Sequence, residues 1–134
     1  MQAEDLRQVL ALLADYGRML DEERFDELLG LYAEDCHLHV FGTDHAGREA
    51  IARFLKSAPR GKHLTGVPHV QFDGATARAR SDYLFFKEDL RPFNAGTYED
   101  EFVREAAGWR FACRKVESRL LAPAGSAAAS TATR

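Results

Sequence analysis

The spacing of apolar residues predicts helices in the first half of the chain. Between residues 6 and 20 the apolar positions recur every three or four residues, which places them on one face of a helix. A second helix is predicted from Phe25 to Tyr32 and a third, shorter helix from Gly47 to Ser57. Alternating residues 36–41 predict a strand between them, followed by a turn at 42–44.

After Pro59 the apolar residues alternate with polar ones, which is typical of strands. We expect strands over residues 63–72, 75–87, 96–104 and 109–121, with a hairpin turn at Asp73-Gly74 and a loop over residues 88–94. This order predicts an α+β domain of residues 1–121: a cone-shaped, curved mixed or antiparallel sheet, wrapped around three N-terminal helices and enclosing an apolar pocket. Residues 122–134 lack large apolar side chains, which predicts a flexible tail rich in Ala, Ser and Thr.

Composition and charge exclude several classes of protein. Lys and Arg total 18 against 21 Asp and Glu, a net charge of −3, which argues against a nucleic-acid-binding surface. No apolar run approaches the roughly 20 residues of a membrane-spanning helix, and the acidic first residues do not resemble a signal peptide. We therefore expect a cytoplasmic protein that contacts neither nucleic acid nor membrane, with Cys36 and Cys113 reduced.

The sequence lacks the short motifs of nucleotide-binding and serine-nucleophile proteins. It contains no Gly-x-Gly-x-x-Gly, no phosphate-binding loop, no Gly-x-Ser-x-Gly and no Cys-x-x-Cys. His37 and His39 alternate on a predicted strand, but no third ligand stands at a regular spacing from them. We therefore predict no cofactor and no metal site.

Seven short motifs follow one another between about residues 4 and 121: Tyr16, Asp21, Leu28–Asp35, Gly47–Ile51, Lys62–Leu64, Gly96–Asp100 and Gly108–Arg114. Their order resembles the SnoaL-like branch of the nuclear-transport-factor-2-like superfamily. That resemblance implies a cone-shaped fold with a hydrophobic pocket, in a group that includes scytalone dehydratase, a hexachlorocyclohexane dehydrochlorinase, bile-acid 7-alpha-dehydratase and polyketide cyclases. It also implies that Asp21 and His63 form a catalytic dyad, joined by Tyr16 and Arg114.

These four residues have side chains suited to acid–base catalysis. A neutral imidazole such as His63 exchanges protons near cellular pH, and a carboxylate such as Asp21 on its other nitrogen fixes the tautomer. Tyr16 and Arg114 could stabilise a developing oxyanion or a departing hydroxyl. Each residue also has an ordinary structural explanation: Asp21 could cap the second helix and Tyr16 could fill the core, while His63 and Arg114 could be plain polar strand residues.

Our first functional hypothesis is a cofactor-independent lyase or isomerase, dehydratase-like or cyclase-like, that acts on a small hydrophobic molecule. One alternative is a non-catalytic module that binds a hydrophobic ligand or assembles with a partner. Another is an epoxide hydrolase-like activity, for which Arg80, Asp82 and Asp100 supply the residue types.

The residues expected to contact the substrate are chosen by the face of the element that each should occupy. They are Phe41, Phe54, Asp82, Tyr83, Phe86 and Tyr98. We also expect a homo-oligomer, a dimer or trimer, because apolar side chains are predicted on the open face of the sheet. These side chains are Phe85, Phe102, Phe111 and Val116.

Overall fold

The computed structural model describes residues 2–120 together with residues 132 and 133. Its helices are α1 (Ala3–Asp21), α2 (Phe25–Leu29) and α3 (Arg48–Ser57). Its strands are β1 (Tyr32–Val40), β2 (Thr43–Ala46), β3 (Gly61–Thr65), β4 (His69–Asp73), β5 (Thr76–Lys87), β6 (Pro92–Glu105), β7 (Gly108–Leu120) and β8 (Ala132–Thr133). The tail predicted for residues 122–134 lies outside the described residues except for β8, which pairs with β7.

One mixed sheet carries the fold, in the order β2-β1-β7-β6-β5-β3. Neighbouring strands run antiparallel except β1 and β7, which run parallel. Strands β3 and β4 pair with successive halves of the long β5. The predicted α+β class, with helices first and a curved mixed sheet after them, is confirmed.

The core lies between α1 and the inner face of the sheet. Trp109 and Phe111 of β7 are 2% and 0% exposed there, beside Phe102 of β6 and Val9 of α1. The ladders shift register between β1 and β7, between β5 and β6, and between β6 and β7. Such irregularities bend and twist strands, which lets the sheet curve around the helices.

The second helix and the strands on either side of it differ from the sequence prediction. Asp21 does not cap α2, because it is the last residue of α1 and the residue before α2 is Arg24. The helix ends at Leu29, and Tyr32 already begins β1. Tertiary pairing with β7 therefore overrides the helical spacing at Tyr32.

The strand predicted over residues 63–72 is two strands, β3 and β4. They are separated by Gly66, Val67 and Pro68, and proline lacks the N–H that would continue a ladder. The loop expected over residues 88–94 is shorter than predicted, because β6 already begins at Pro92. The hairpin at Asp73-Gly74 is confirmed by the pairing of Asp73 with Thr76.

The four apolar side chains expected on the open face of the sheet lie inside the protein instead. Phe85, Phe102 and Phe111 are buried in the interior, and Val116 lines the internal cavity. The outer face instead carries charged side chains, among them Arg80, whose guanidinium lies 3.0 Å from the carboxylate of Glu99. A dimer or trimer remains a prediction without support from these four side chains.

Candidate functional site

An open cavity lies between the helices and the inner face of the sheet. Its volume is about 690 Å³ including the part open to solvent. Seven aromatic side chains form much of its wall: Tyr16, Phe41, Phe54, Tyr83, Phe85, Phe93 and Tyr98. The polar groups that reach the wall include His63, Asn94 and Arg114. Mostly apolar walls with a few polar groups are typical of sites for small molecules.

Asp21 and His63 meet where the end of α1 crosses β3. The Asp21 carboxylate accepts the Nδ1–H of His63 across 2.6 Å and the backbone N–H of His63 across 2.9 Å, one bond to each oxygen. Their side chains are only 8% and 15% exposed. Since a carboxylate oxygen can only accept, this bond places a hydrogen on Nδ1, and in a neutral imidazole the lone pair is then on Nε2.

Close packing of α1 against β3 sets this geometry. Gly17 lies one helical turn before Asp21, and a Cβ at that position would be 3.5 Å from the Cβ of His63. On its other side the imidazole packs against Phe85, with ring centroids 4.4 Å apart. The ring is therefore held between the helix and the sheet, where His63 lines the cavity.

Arg114 and Asp100 form a buried ion pair in the cavity wall. Arg114 donates from Nε and Nη2 to the two carboxylate oxygens of Asp100, at 2.8 and 3.0 Å. The guanidinium also lies over the rings of Tyr98 and Tyr16, at 3.7 and 4.2 Å. Arg114 thus lines the cavity as predicted, and the carboxylate of Asp100 balances its charge.

The pKa values of this pair follow from burial and mutual attraction. Burial lowers the pKa of Arg114, but the charge and hydrogen bonds of Asp100 outweigh burial and raise that pKa above its usual value. Burial raises the pKa of Asp100, and Arg114 opposes that shift. The guanidinium therefore stays a cation at neutral pH.

The hydroxyl groups of Tyr16 and Tyr32 form a hydrogen bond of 2.7 Å inside the protein. Burial raises the pKa of both phenols, so both keep their hydrogens at neutral pH. One hydroxyl donates to the other, and the second O–H is left to donate elsewhere. Tyr32 was not predicted as a site residue, because its spacing placed it in a helix.

Asn94 and Tyr83 complete the polar part of the cavity wall. Asn94 is buried, and its carboxamide oxygen makes no hydrogen bond within the described part of the chain. Tyr83 stacks on Tyr98, with centroids 4.3 Å apart and ring planes within 7° of parallel. Burial raises the pKa of Tyr83, partly offset by its hydrogen bond with Ser118.

The cavity brings together seven of the ten residues predicted for the site: Tyr16, Phe41, Phe54, His63, Tyr83, Tyr98 and Arg114. Asp21 lies behind His63 and lines a smaller adjoining pocket.

Asp82 and Phe86 were placed wrongly, because both lie on the outer face of β5. Alternate residues of that strand face inward, so Tyr83 and Phe85 line the cavity instead. Phe85 and Asn94 are lining residues that the sequence analysis did not assign to the site.

The residues considered for a metal site do not gather into one. Within residues 2–120, 132 and 133, no three His, Cys, Asp or Glu side chains are grouped as a metal site requires. His37 instead makes a 3.0 Å contact through Nδ1 with the carboxylate of Asp44. In that same part of the chain, no helix has the length and apolarity to cross a membrane.

Comparison with known proteins agrees with this architecture. An uncharacterized protein of Mycobacterium tuberculosis (strain H37Rv) is 27% identical over 129 residues, covering 88% of this chain and 87% of that protein. The crystal structure of an NTF2-like protein with a cystatin-like fold from Novosphingobium aromaticivorans has 30% identity and a TM-score of 0.79. That alignment covers 94% of this chain and 86% of the other.

A second structure from Novosphingobium aromaticivorans, of a protein provisionally named a scytalone dehydratase, has 25% identity and a TM-score of 0.72. It covers 92% of this chain and 95% of its own. The family model of the SnoaL-like domain matches residues 1–115. This chain therefore belongs to the SnoaL-like domain family.

Proposed function

We propose that this protein is a cofactor-independent lyase or isomerase that acts on a small, neutral, mostly apolar molecule. The observation that carries the proposal is the Asp21–His63 pair in the wall of an aromatic-lined cavity, where Nε2 of a neutral imidazole serves as the base. A neutral substrate is favoured because Asp100 balances the charge of Arg114. An anionic substrate would therefore find no unpaired positive charge at Arg114.

The favoured reaction is elimination of water. Nε2 of His63 takes a proton from a carbon of the substrate, and Asp21 stabilises the imidazolium that forms. The carbon–hydrogen electron pair becomes a double bond as the carbon–oxygen bond of a neighbouring hydroxyl breaks. The imidazolium returns its proton to the departing oxygen, which leaves as water. General acid–base catalysis of this kind contributes about 10²–10⁴ in rate.

Tyr16 and Arg114 are suited to help the step as hydrogen-bond donors. Among the described residues the Tyr16–Tyr32 pair retains one O–H that makes no internal hydrogen bond, and the raised pKa values of both phenols keep that hydrogen in place. Asp100 occupies Nε and Nη2 of Arg114, which leaves the hydrogens on Nη1. Donors held in place beside a mostly apolar cavity stabilise negative charge as it develops on oxygen.

A non-catalytic role, in which the cavity only binds such a molecule, is the second candidate. The aromatic walls support binding whether or not the dyad turns the ligand over. The epoxide hydrolase-like alternative loses its residues, because Arg80 and Asp82 lie on the outer face while Asp100 is paired inside with Arg114.

The test is turnover of neutral hydroxylated ring compounds, followed by mass spectrometry for loss of water. His63→Ala should abolish turnover while the circular dichroism spectrum and ligand binding survive. His69→Ala removes an exposed histidine of β4 and should leave the rate unchanged. Full activity in His63→Ala would refute the dyad, and binding without turnover across the compounds would favour the non-catalytic role.

A further inference from the structure

The turn between β1 and β2 holds an aromatic residue in an unfavourable backbone conformation. Val40 pairs with Thr43, so only Phe41 and Gly42 form the turn. Their φ angles are +53° and +75°, the pattern of a type I′ turn. Glycine adopts such angles freely and asparagine tolerates them, whereas a bulky side chain at positive φ is strained.

Burial in the core does not explain why Phe41 occupies this position. Its side chain is 45% exposed, and it lies at the cavity beside Phe54, with ring centroids 6.3 Å apart. Two other non-glycine residues of the described chain have positive φ, Glu23 and Leu90, and neither of them lines this cavity. Among these three, strain coincides with the cavity at Phe41 alone.

Phe41 and His63 line the same cavity from distant strands of the sheet. Phe41 follows β1, whereas His63 is in β3, four strand spacings away in the sheet. At about 4.8 Å per spacing, this is roughly 19 Å along the curved sheet. A ligand that presents its reacting atom to His63 therefore extends its other end toward Phe41.

We propose that Phe41 determines specificity at the mouth of the cavity. Its ring packs against the end of the ligand remote from the dyad and selects molecules that carry a flat, apolar ring there. The strained turn keeps this ring at the mouth. An asparagine at position 41 would relieve the backbone strain but would remove the contact between ring and ligand. The proposal rests on the ligand-binding part of the proposed function and does not depend on its catalytic step.

The test measures binding of the neutral fluorescent probe N-phenyl-1-naphthylamine to the wild-type protein and two variants. Phe41→Asn removes the ring and suits the turn. Leu90→Asn makes the same kind of change at another exposed apolar residue with positive φ, outside the cavity. We expect the dissociation constant to rise about tenfold in Phe41→Asn, the size of effect that loss of a buried apolar contact gives, and to stay unchanged in Leu90→Asn.

Wild-type affinity in Phe41→Asn, or no binding of the probe by the wild-type protein, would overturn the proposal. If circular dichroism shows that Phe41→Asn is partly unfolded, Phe41→Ala is measured instead. Wild-type affinity in Phe41→Ala would also refute the proposal. Unchanged turnover in His63→Ala would end the catalytic proposal, while the Phe41 variants still decide this one.

Discussion

Replacement of Asp21 by asparagine should move the ring hydrogen of His63 from Nδ1 to Nε2. The two carboxylate oxygens now accept two N–H donors of His63, at 2.6 and 2.9 Å. An asparagine of the same shape has one accepting oxygen and an NH₂ group that only donates. If its oxygen keeps the backbone N–H, its NH₂ faces Nδ1, and the two fit only when Nδ1 carries no hydrogen. The variant then lacks a base at the cavity.

The size of the effect follows from the two hydrogen bonds. Bonds to a charged group contribute about 1.5–3 kcal/mol each and neutral ones about 0.5–1.5 kcal/mol. The substitution converts two bonds from the first kind to the second, so the free energy of unfolding should fall by about 2 kcal/mol. Activity should fall further, by about 10²–10⁴, because the general base itself is lost.

Long-range ¹H–¹⁵N spectra of the histidine rings report which nitrogen carries hydrogen, and urea denaturation gives the stability. Asp15→Asn is the matched control, because Asp15 lies on the same helix and pairs with the exposed side chain of Arg18. That control should leave both the His63 tautomer and the stability nearly unchanged. A His63 ring that keeps its hydrogen on Nδ1 in Asp21→Asn, at unchanged stability, would refute the reasoning.

Three further predictions concern the ion pair, a thiol and two neighbouring phenylalanines. Asp100→Asn should lower the free energy of unfolding by about 3–5 kcal/mol, because it leaves Arg114 buried and unpaired. In a double-mutant cycle with Arg114→Met, measured by urea denaturation, additive losses of unfolding free energy would contradict the pairing of the two residues. Burial raises the pKa of Cys113 to about 11, so its alkylation by iodoacetamide, followed by mass spectrometry, should accelerate about tenfold per pH unit from pH 7 to 10. A plateau of the alkylation rate near pH 9 would contradict that raised pKa. The raised pKa also makes folding less favourable as the pH rises from about 9 to about 11, because the thiol ionises first in the unfolded chain. Phe85→Ala should lower the free energy of unfolding by about 3–5 kcal/mol and weaken probe binding, whereas Phe86→Ala should leave probe binding unchanged. Equal effects of the two substitutions in thermal melts and binding titrations would show that both rings lie on the same face of the sheet.

Much of the fold was predictable because long periodic segments determine it. The helical spacing before residue 21 and the hairpin at Asp73-Gly74 are local signals, and both match the structure. The errors lie where distant parts of the chain decide the outcome. Tyr32 fits a helical spacing by itself, yet Leu31 accepts a hydrogen bond from the backbone N–H of Phe111, which draws that segment into the sheet.

The motif residues of the site were predictable from the sequence, but the facing and register of the strands that carry the site were not. Alternation along β5 separates two faces but does not say which one meets the helices, and so Phe86 was chosen over Phe85. Counting back from the turn before Gly108 places Asp100 opposite Cys113, but the irregularity after Glu101 shifts the register and brings Asp100 opposite Arg114. No local pattern marks that shift, so the ion pair was out of reach of the sequence.

The position of β7 has a consequence for biosynthesis. This strand joins β6 on one side and the much earlier β1 on the other, so the sheet cannot be assembled in the order in which its strands leave the ribosome. The part of the apolar stripe of α1 that packs on β7 stays uncovered until residues 108–120 emerge, a delay typical of folds with distant pairings. Assembly should then occur in a single late event, and a cut before β7 should leave no smaller unit able to fold.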